Sequence, residues 1–166
     1  MFEKLLVPLD GSEMAESVLP FVEDMAKRYS AEVILLRVVA TPQDRWTAKV
    51  FQPPLAVPGS TEDVVTSPHP VYREQEMESL RGEVERTLSG VRKRLREAGL
   101  SVRVEVLFGR PADRIVEYAT KEDVDLIAIS THGRTGLGRW AFGSVAKRIM
   151  RATAIPVLLI RPPGEA

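Results

Sequence analysis

The residues with the most chemical potential stand together in one stretch, Ser130-Thr131-His132-Gly133-Arg134-Thr135-Gly136-Leu137-Gly138-Arg139-Trp140-Ala141-Phe142-Gly143-Ser144. Gly133, Gly136 and Gly138 have no β-carbon, so a loop built on them can adopt positive φ and bring backbone N–H groups close to an anion. The apolar run before the stretch reads as a buried strand, and Gly143 to Arg151 reads as a helix. That helix would add the unpaired N–H groups and the positive dipole end of its first turn. Ser144 offers a hydroxyl to a phosphate oxygen, and Arg134, Arg139 and Lys147 offer charge. These residue types in this order describe a phosphate cradle. They also fit a flexible loop in which Ser144 is a plain helix N-cap.

A second candidate is Pro8-Leu9-Asp10-Gly11-Ser12, at the end of the first apolar run. The Asp10 carboxylate can accept from ribose hydroxyls or an adenine amino group, or it can simply turn the chain as an Asx or N-cap residue. His132 reads either as a proton relay or phosphate ligand or as a hydrogen-bonded loop residue, since the sequence places no partner carboxylate beside it. Three familiar chemistries do not match. No lysine follows a glycine at the helix start, as a P-loop requires. The first strand-to-helix turn is Asp10-Gly11-Ser12 rather than a dinucleotide fingerprint. Pro8 occupies the place of the nucleophilic aspartate that a haloacid dehalogenase carries two residues before an Asp-Gly-Ser. No catalytic triad, carboxylate dyad or sequence-defined metal cluster is visible, although phosphate-bound Mg²⁺ needs few protein ligands.

The elements that must position these residues follow from hydropathic period. Leu5 to Leu9, Val33 to Leu36, Leu126 to Ile129 and Val157 to Ile160 are short apolar runs, while Val102, Val104 and Val106 alternate with Arg103 and Glu105. Between them, Met14, Val18, Phe21, Val22 and Met25 fit one side of a helix. Met77, Leu80, Val84, Leu88, Val91 and Leu95 recur every three or four residues on another, which ends at Gly99. A further helix starts near Pro111. The order βαβ, long loop, αβαβαβ predicts a single α/β domain over residues 1–166, an open parallel sheet with helices on both faces. In such sheets ligands lie beyond the carboxyl ends of the strands, where the winding reverses. Residues 8–12, 38–41, 108–111 and 130–144 are therefore the places to search. The intervening stretch of about 40–73 holds six prolines (Pro42, Pro53, Pro54, Pro58, Pro68, Pro70) and reads as a long loop, either a flap over the ligand crevice with Trp46 or Phe51 as packing anchors or, the favoured reading, an excursion on the surface.

Composition narrows the function classes. The 23 Lys and Arg balance the 23 Asp and Glu, so a nucleic-acid binder relying on overall cationic charge is disfavoured. Charge is nevertheless uneven: between Ser130 and Arg151 there are five cations (Arg134, Arg139, Lys147, Arg148, Arg151) and no acid. The absence of cysteine excludes a disulfide framework, thiol catalysis and cysteine-bound metal. With 44% hydrophobic and 28% charged residues the chain can build a core. No apolar run approaches the ~20 residues that span a bilayer, and the N-terminus lacks a signal-peptide pattern, so no membrane partner and a cytoplasmic location are expected.

At this point the chain resembles the universal stress proteins, the UspA-like family of adenine-nucleotide-binding α/β domains. The resemblance rests on Leu6-Val7-Pro8-Leu9-Asp10-Gly11-Ser12, Leu35-Leu36-Arg37-Val38, the glycine loop and Pro156-Val157-Leu158-Leu159-Ile160. ATP-binding members carry G-x2-G-x9-G-[ST]; Gly133, the nine residues 134–142, Gly143 and Ser144 match it, and Ser130 stands in place of the first glycine. The resemblance implies a five-stranded sheet of order 3-2-1-4-5, of the adenine-nucleotide α-hydrolase-like type. It implies ATP, with Mg²⁺, as ligand. Asp10 would contact adenine or ribose, Pro8 would shape that pocket, and the Val38 backbone would bond the adenine edge. Ser130, Thr131, His132, Gly133, Arg134, Thr135, Gly136, Gly143, Ser144 and Val145 would surround ribose and phosphates. A homodimer through strand 156–161 is also implied, in keeping with an apolar last strand that invites pairing. The resulting expectation is an ATP-dependent stress-response switch with little turnover. Two alternatives stand beside it. One is a slow ATPase or autophosphorylating enzyme using Ser144 or Thr135 as acceptor and His132 as relay; the other is a nucleotide-independent dimeric interaction module.

Overall fold

Alternation along the apolar strands divides their side chains between two helical layers, because successive residues of a strand point to opposite faces. In this computed structural model, which describes residues 2–40, 70–131 and 143–161 (the side chains of 70–73 and 76 excepted), the elements run in the expected order. They are β1 (Lys4–Pro8), α1 (Glu13–Glu16), α2 (Leu19–Tyr29), β2 (Glu32–Val39), α3 (Pro70–Glu97), β3 (Val102–Phe108), α4 (Pro111–Lys121), β4 (Leu126–Ser130), α5 (Ser144–Ala152) and β5 (Val157–Ile160). The five strands form one parallel sheet ordered β3-β2-β1-β4-β5. Leu5, Val7, Val33, Leu35, Leu126 and Ala128 face α2 and α3, meeting Val18, Val22, Leu88, Val91 and Leu95. Leu6, Ile34, Leu36, Ile127 and Ile129 face α4 and α5, meeting Ile115 and Ile149. Most of the proline-rich stretch, with Trp46 and Phe51, lies outside the described residues; α3 has already begun at Pro70.

Two expectations about helix faces are corrected. The first helical pattern is two helices rather than one. α1 stops at Ser17, whose hydroxyl donates to the Met14 carbonyl at 2.7 Å, and α2 restarts with Pro20 in its first turn. The restart changes the phase: α2 buries Leu19, Val22 and Ala26, whereas Phe21, about 200° around the helix from Leu19, is 51% exposed. In α3, Leu88, Val91 and Leu95 are buried but Met77 is 41% exposed. A 28-residue helix is about 42 Å long, against about 23 Å for the seven residues of β3, so its N-terminal turns outrun the strand beside them.

Polar contacts hold the amino-terminal edge of the sheet. Arg103 on β3 lies 3.6 Å from Glu32, 3.8 Å from Glu105 and 3.3 Å from Glu122. Burial, followed by the Glu105 carboxylate, pushes the Tyr118 phenol beneath this cluster up to about 12. Asp125, just before β4, accepts from the backbone N–H groups of Glu3 (2.8 Å) and Lys4 (2.9 Å), tying β4 to the start of β1. Those bonds, that of Lys4 first, hold the Asp125 carboxyl below its ordinary 3.8. A lowered folded-state value means that its stabilisation is fully present above pH 3.8 and is lost as pH falls through the folded-state value. Asp125→Asn should therefore lower stability at neutral pH and flatten the acid limb of the stability curve below pH 3.8, as read by urea denaturation across pH. An acid limb as steep as that of the wild type would count against this assignment.

Candidate functional site

The chain winds outward from β1 to β2 and β3, then crosses to the other flank of β1 and continues through β4 to β5. Helices leaving β1 and β4 therefore diverge, opening a crevice at the carboxyl ends of these two neighbouring strands. A cavity of about 360 Å³ occupies it, within the range typical of small-molecule sites.

One wall is the β1-to-α1 turn. Pro8 has no N–H, and after it the Leu9 N–H donates to the Leu36 carbonyl at 2.9 Å before the chain leaves the sheet. Gly11 sits at φ +84°, the left-handed conformation that lets the turn close. Asp10 Oδ1 accepts from both the N–H (2.9 Å) and the hydroxyl (2.6 Å) of Ser12, while Ser12 Oγ accepts from Ala15 N–H as the cap of α1. Arg37 Nη1 donates to the Leu9 carbonyl at 3.3 Å. Burial works to raise the Asp10 pKa, but the Ser12 bonds and the Arg37 charge outweigh it and hold the carboxyl below 3.8. The two readings of Asp10 are thus compatible: it makes an Asx turn, Ser12 is the cap, and the carboxylate still borders the cavity.

The second contribution comes from β2. Glu32 N–H bonds Glu3 of β1's side and the Leu36 carbonyl accepts from Leu9, whereas Val33 N–H and the Val39 carbonyl bond Ser101 and Gly109 on β3's side. Even-numbered residues of β2 thus direct their backbone groups toward β1. The β1 register ends at Pro8 opposite Leu36, so the Val38 N–H and carbonyl are directed beyond it, where Val38 borders the cavity.

The opposite wall is β4 running toward α5. Ser130 and Thr131 end the strand, and the buried Thr131 Oγ1 accepts from Gly143 N–H at 3.0 Å. Gly143 is the N-cap residue and carries no side-chain cap; Ser144 is the first helical residue and Val145 the second. This decides against Ser144 as a plain N-cap. The first α5 carbonyl bond is Lys147 N–H to Gly143, so the N–H groups of Ser144, Val145 and Ala146 have no partner within the helix. Gly143 is at φ −55°, and among the described residues a β-carbon there would meet only Thr131 Oγ1 at 3.8 Å, an ordinary van der Waals contact, so neither its backbone angle nor these neighbours demand glycine.

Of the residues singled out from sequence, Pro8, Asp10, Val38, Ser130, Thr131, Gly143, Ser144 and Val145 all border this one cavity. His132, Gly133, Arg134, Thr135 and Gly136 lie outside the described residues. Sequence reasoning missed Ala15, Leu36, Ile115, Ile129 and Ala146, the largely apolar remainder of the wall. Ile115 carries no local signal, because it enters only through the docking of α4 on the sheet. The cationic stretch needs a correction. Lys147, Arg148 and Arg151 are exposed on α5 and none borders the cavity; Ala146 and Ile149 turn inward, which puts those cations on the outer face. Arg148 pairs with Asp113 at 2.8 Å. Among the described residues no group of acids or histidines could hold a metal ion, and no helix is long and apolar enough to cross a membrane. Thr131→Val, nearly isosteric but without the acceptor, would leave Gly143 N–H unpaired. It should cost about 1 kcal/mol in urea denaturation and speed amide exchange at Gly143; unchanged exchange would refute the anchoring role.

Comparison with known proteins agrees with this architecture. A sequence profile described as the Universal stress protein family matches residues 1–161. Universal stress protein MJ0531 of Methanocaldococcus jannaschii is 31% identical over 165 residues, covering 99% of this chain and 85% of that protein. The solved structure of MJ0577, from the same organism, superposes with a TM-score of 0.73 at 25% identity and covers 99% of both chains. Two more distant structures share the fold. A universal stress protein in complex with cAMP has a TM-score of 0.62 at 18% identity, with 98% of both chains covered. The Archaeoglobus fulgidus protein in complex with dAMP has a TM-score of 0.58 at 21% identity, covering 96% of this chain and 97% of that one. The profile match along nearly the whole length, on a sheet of the same order, makes this chain a member of the universal stress protein family.

Proposed function

We propose that the cavity binds ATP, with Mg²⁺ carried on the phosphates, and that the chain acts in the cytoplasm as a nucleotide-dependent stress-response switch with little turnover. The observation that carries this reading is the union of two chemistries in one cavity. At one end an apolar slot, formed by Leu36, Val38, Ile115 and Ile129, lies beside a peptide edge and the Asp10 carboxylate. That is an environment for a flat heterocycle with polar edges and for a hydroxylated sugar. At the other end the N–H groups of Ser144, Val145 and Ala146, which have no partner within α5, and the Ser144 hydroxyl suit an anion. The motif spacing supports assigning Gly133, and with it the neighbouring stretch 132–136 that lies outside the described residues, to the same anion site. The cAMP and dAMP complexes indicate that proteins of this fold accommodate adenine nucleotides.

The groups among the described cavity residues support the low-turnover reading. Asp10 is the one ionisable side chain among the described cavity residues, and its Oδ1 is already engaged by Ser12. A group so held is a better ligand for hydroxyls than a proton shuttle. β5 also supports the dimeric reading: it ends the sheet with β4 on one side, and all four of its apolar residues are only half-buried. Natural edge strands of that composition are usually covered by pairing.

Two outcomes are expected. Calorimetric titration should give one ATP site per chain, weakened about tenfold by Ser144→Ala and at least as much by Gly143→Ala, with the melting temperature of the latter nearly unchanged. Absence of heat at millimolar ATP with Mg²⁺ would overturn the reading, and steady release of phosphate would replace it by the ATPase alternative. Gel filtration at micromolar concentration should show a dimer that Leu159→Glu converts to a monomer; a monomeric wild type would exclude dimerisation through strand 156–161.

A further inference from the structure

α1 poses a problem of support. It has four residues, none of them buried, and a helix that short has no stability of its own in water. Yet it carries the N-terminal cap that organises Asp10, and Ala15 borders the cavity. Apolar packing gives it little, since Ala15 is only partly buried against the core. In β4, Leu126 and Ala128 face the α2–α3 layer while Ile127 and Ile129 face the α4–α5 layer. Ser130 continues the first series and so reaches toward α1, where its hydroxyl donates to the Met14 carbonyl at 2.6 Å across 116 positions of sequence. The next residue, Thr131, holds Gly143 at the mouth of α5. Consecutive side chains at the end of one strand therefore grip the two walls of the cavity.

We propose that Ser130 is a positioning residue: its bond to Met14 fixes α1, and through the Ser12 cap the Asp10 carboxylate, at the separation from α5 that a single ligand spans. The inference rests on the nucleotide reading above and concerns how its nucleoside end is set. The hydroxyl is engaged by the Met14 carbonyl of α1, so Ser130 contributes a strut where the family motif has a glycine, which has no side chain to reach Met14. The carboxylate then meets its ligand with less freedom to lose, since the turn is already ordered.

The test combines exchange in the ligand-free protein with affinities for adenosine and ATP in wild type, Ser130→Ala, Asp10→Asn and the double variant. Ser130→Ala should speed amide exchange at Ala15, Glu16 and Ser17. It should weaken adenosine and ATP by the same factor, about three- to tenfold, because the defect lies at the nucleoside end. In the Asp10→Asn background the Ser130 substitution should have little further effect, since it acts through that carboxylate. Three results would each overturn the positioning role: unchanged exchange, a loss confined to ATP, or losses that multiply in the double variant. A wild type that binds neither adenosine nor ATP would overturn the nucleotide reading itself. A wild type that binds, with Ser130→Ala binding equally well, would overturn only the positioning role.

Discussion

The structure depends on the position of β1 at the point where the sheet changes its direction of winding. β1 pairs with β2 along all five of its residues and with β4 at Leu5 and Leu6. The chain must leave β1 toward one layer, α1 and α2, and leave β4 toward the other, ending at α5. No helix can cover both exits, and a crevice is the geometric result. Burial makes the arrangement unavoidable: Leu5, Leu6, Val7, Ile34, Leu35 and Ile127 are completely inaccessible, so neither helical layer can shift across the sheet without exposing apolar surface.

Hydrogen bonds then turn this generic crevice into a particular one. The β1–β2 ladder ends with the Leu9 N–H bond to the Leu36 carbonyl and the Asp10–Ser12 turn lifts the chain away, leaving the Val38 backbone directed at the gap. Ser130 and Thr131 use the strand's alternation to hold both banks. The field at the α5 end of the cavity, as far as the described residues go, comes from backbone dipoles rather than side-chain charge. Lys147, Arg148 and Arg151 look outward from α5, and Arg148 is engaged by Asp113. A site built from fixed N–H groups binds an anion without ordering long cationic side chains.

Much of the fold was legible because its signals are local and periodic. The four apolar runs and the alternating Val102–Val106 segment became the five strands, and the α3 stripe and the Gly99 stop were readable from spacing alone. The candidate site was legible to the extent that turn chemistry is local: Asp10-Gly11-Ser12 and Gly143-Ser144 announce themselves. The errors arose where a local pattern depends on a remote decision. Phe21 has the period of a core residue, but its face was decided by the helix break at Ser17 and the restart at Pro20. Met77 continues an apolar stripe beyond the length of strand available to cover it.

By itself the sequence determined the class of the fold, the identity of the strand-end turns and a motif spacing that points to a bound anion, because hydropathic period, proline and glycine act over a few residues. Only the tertiary structure decided which of those turns share a cavity, which way the α5 cations face, and that the Ser130 hydroxyl serves α1. These are relations between residues as far apart as Met14 and Ser130, and packing and strand register, not neighbouring sequence, determine where such residues meet.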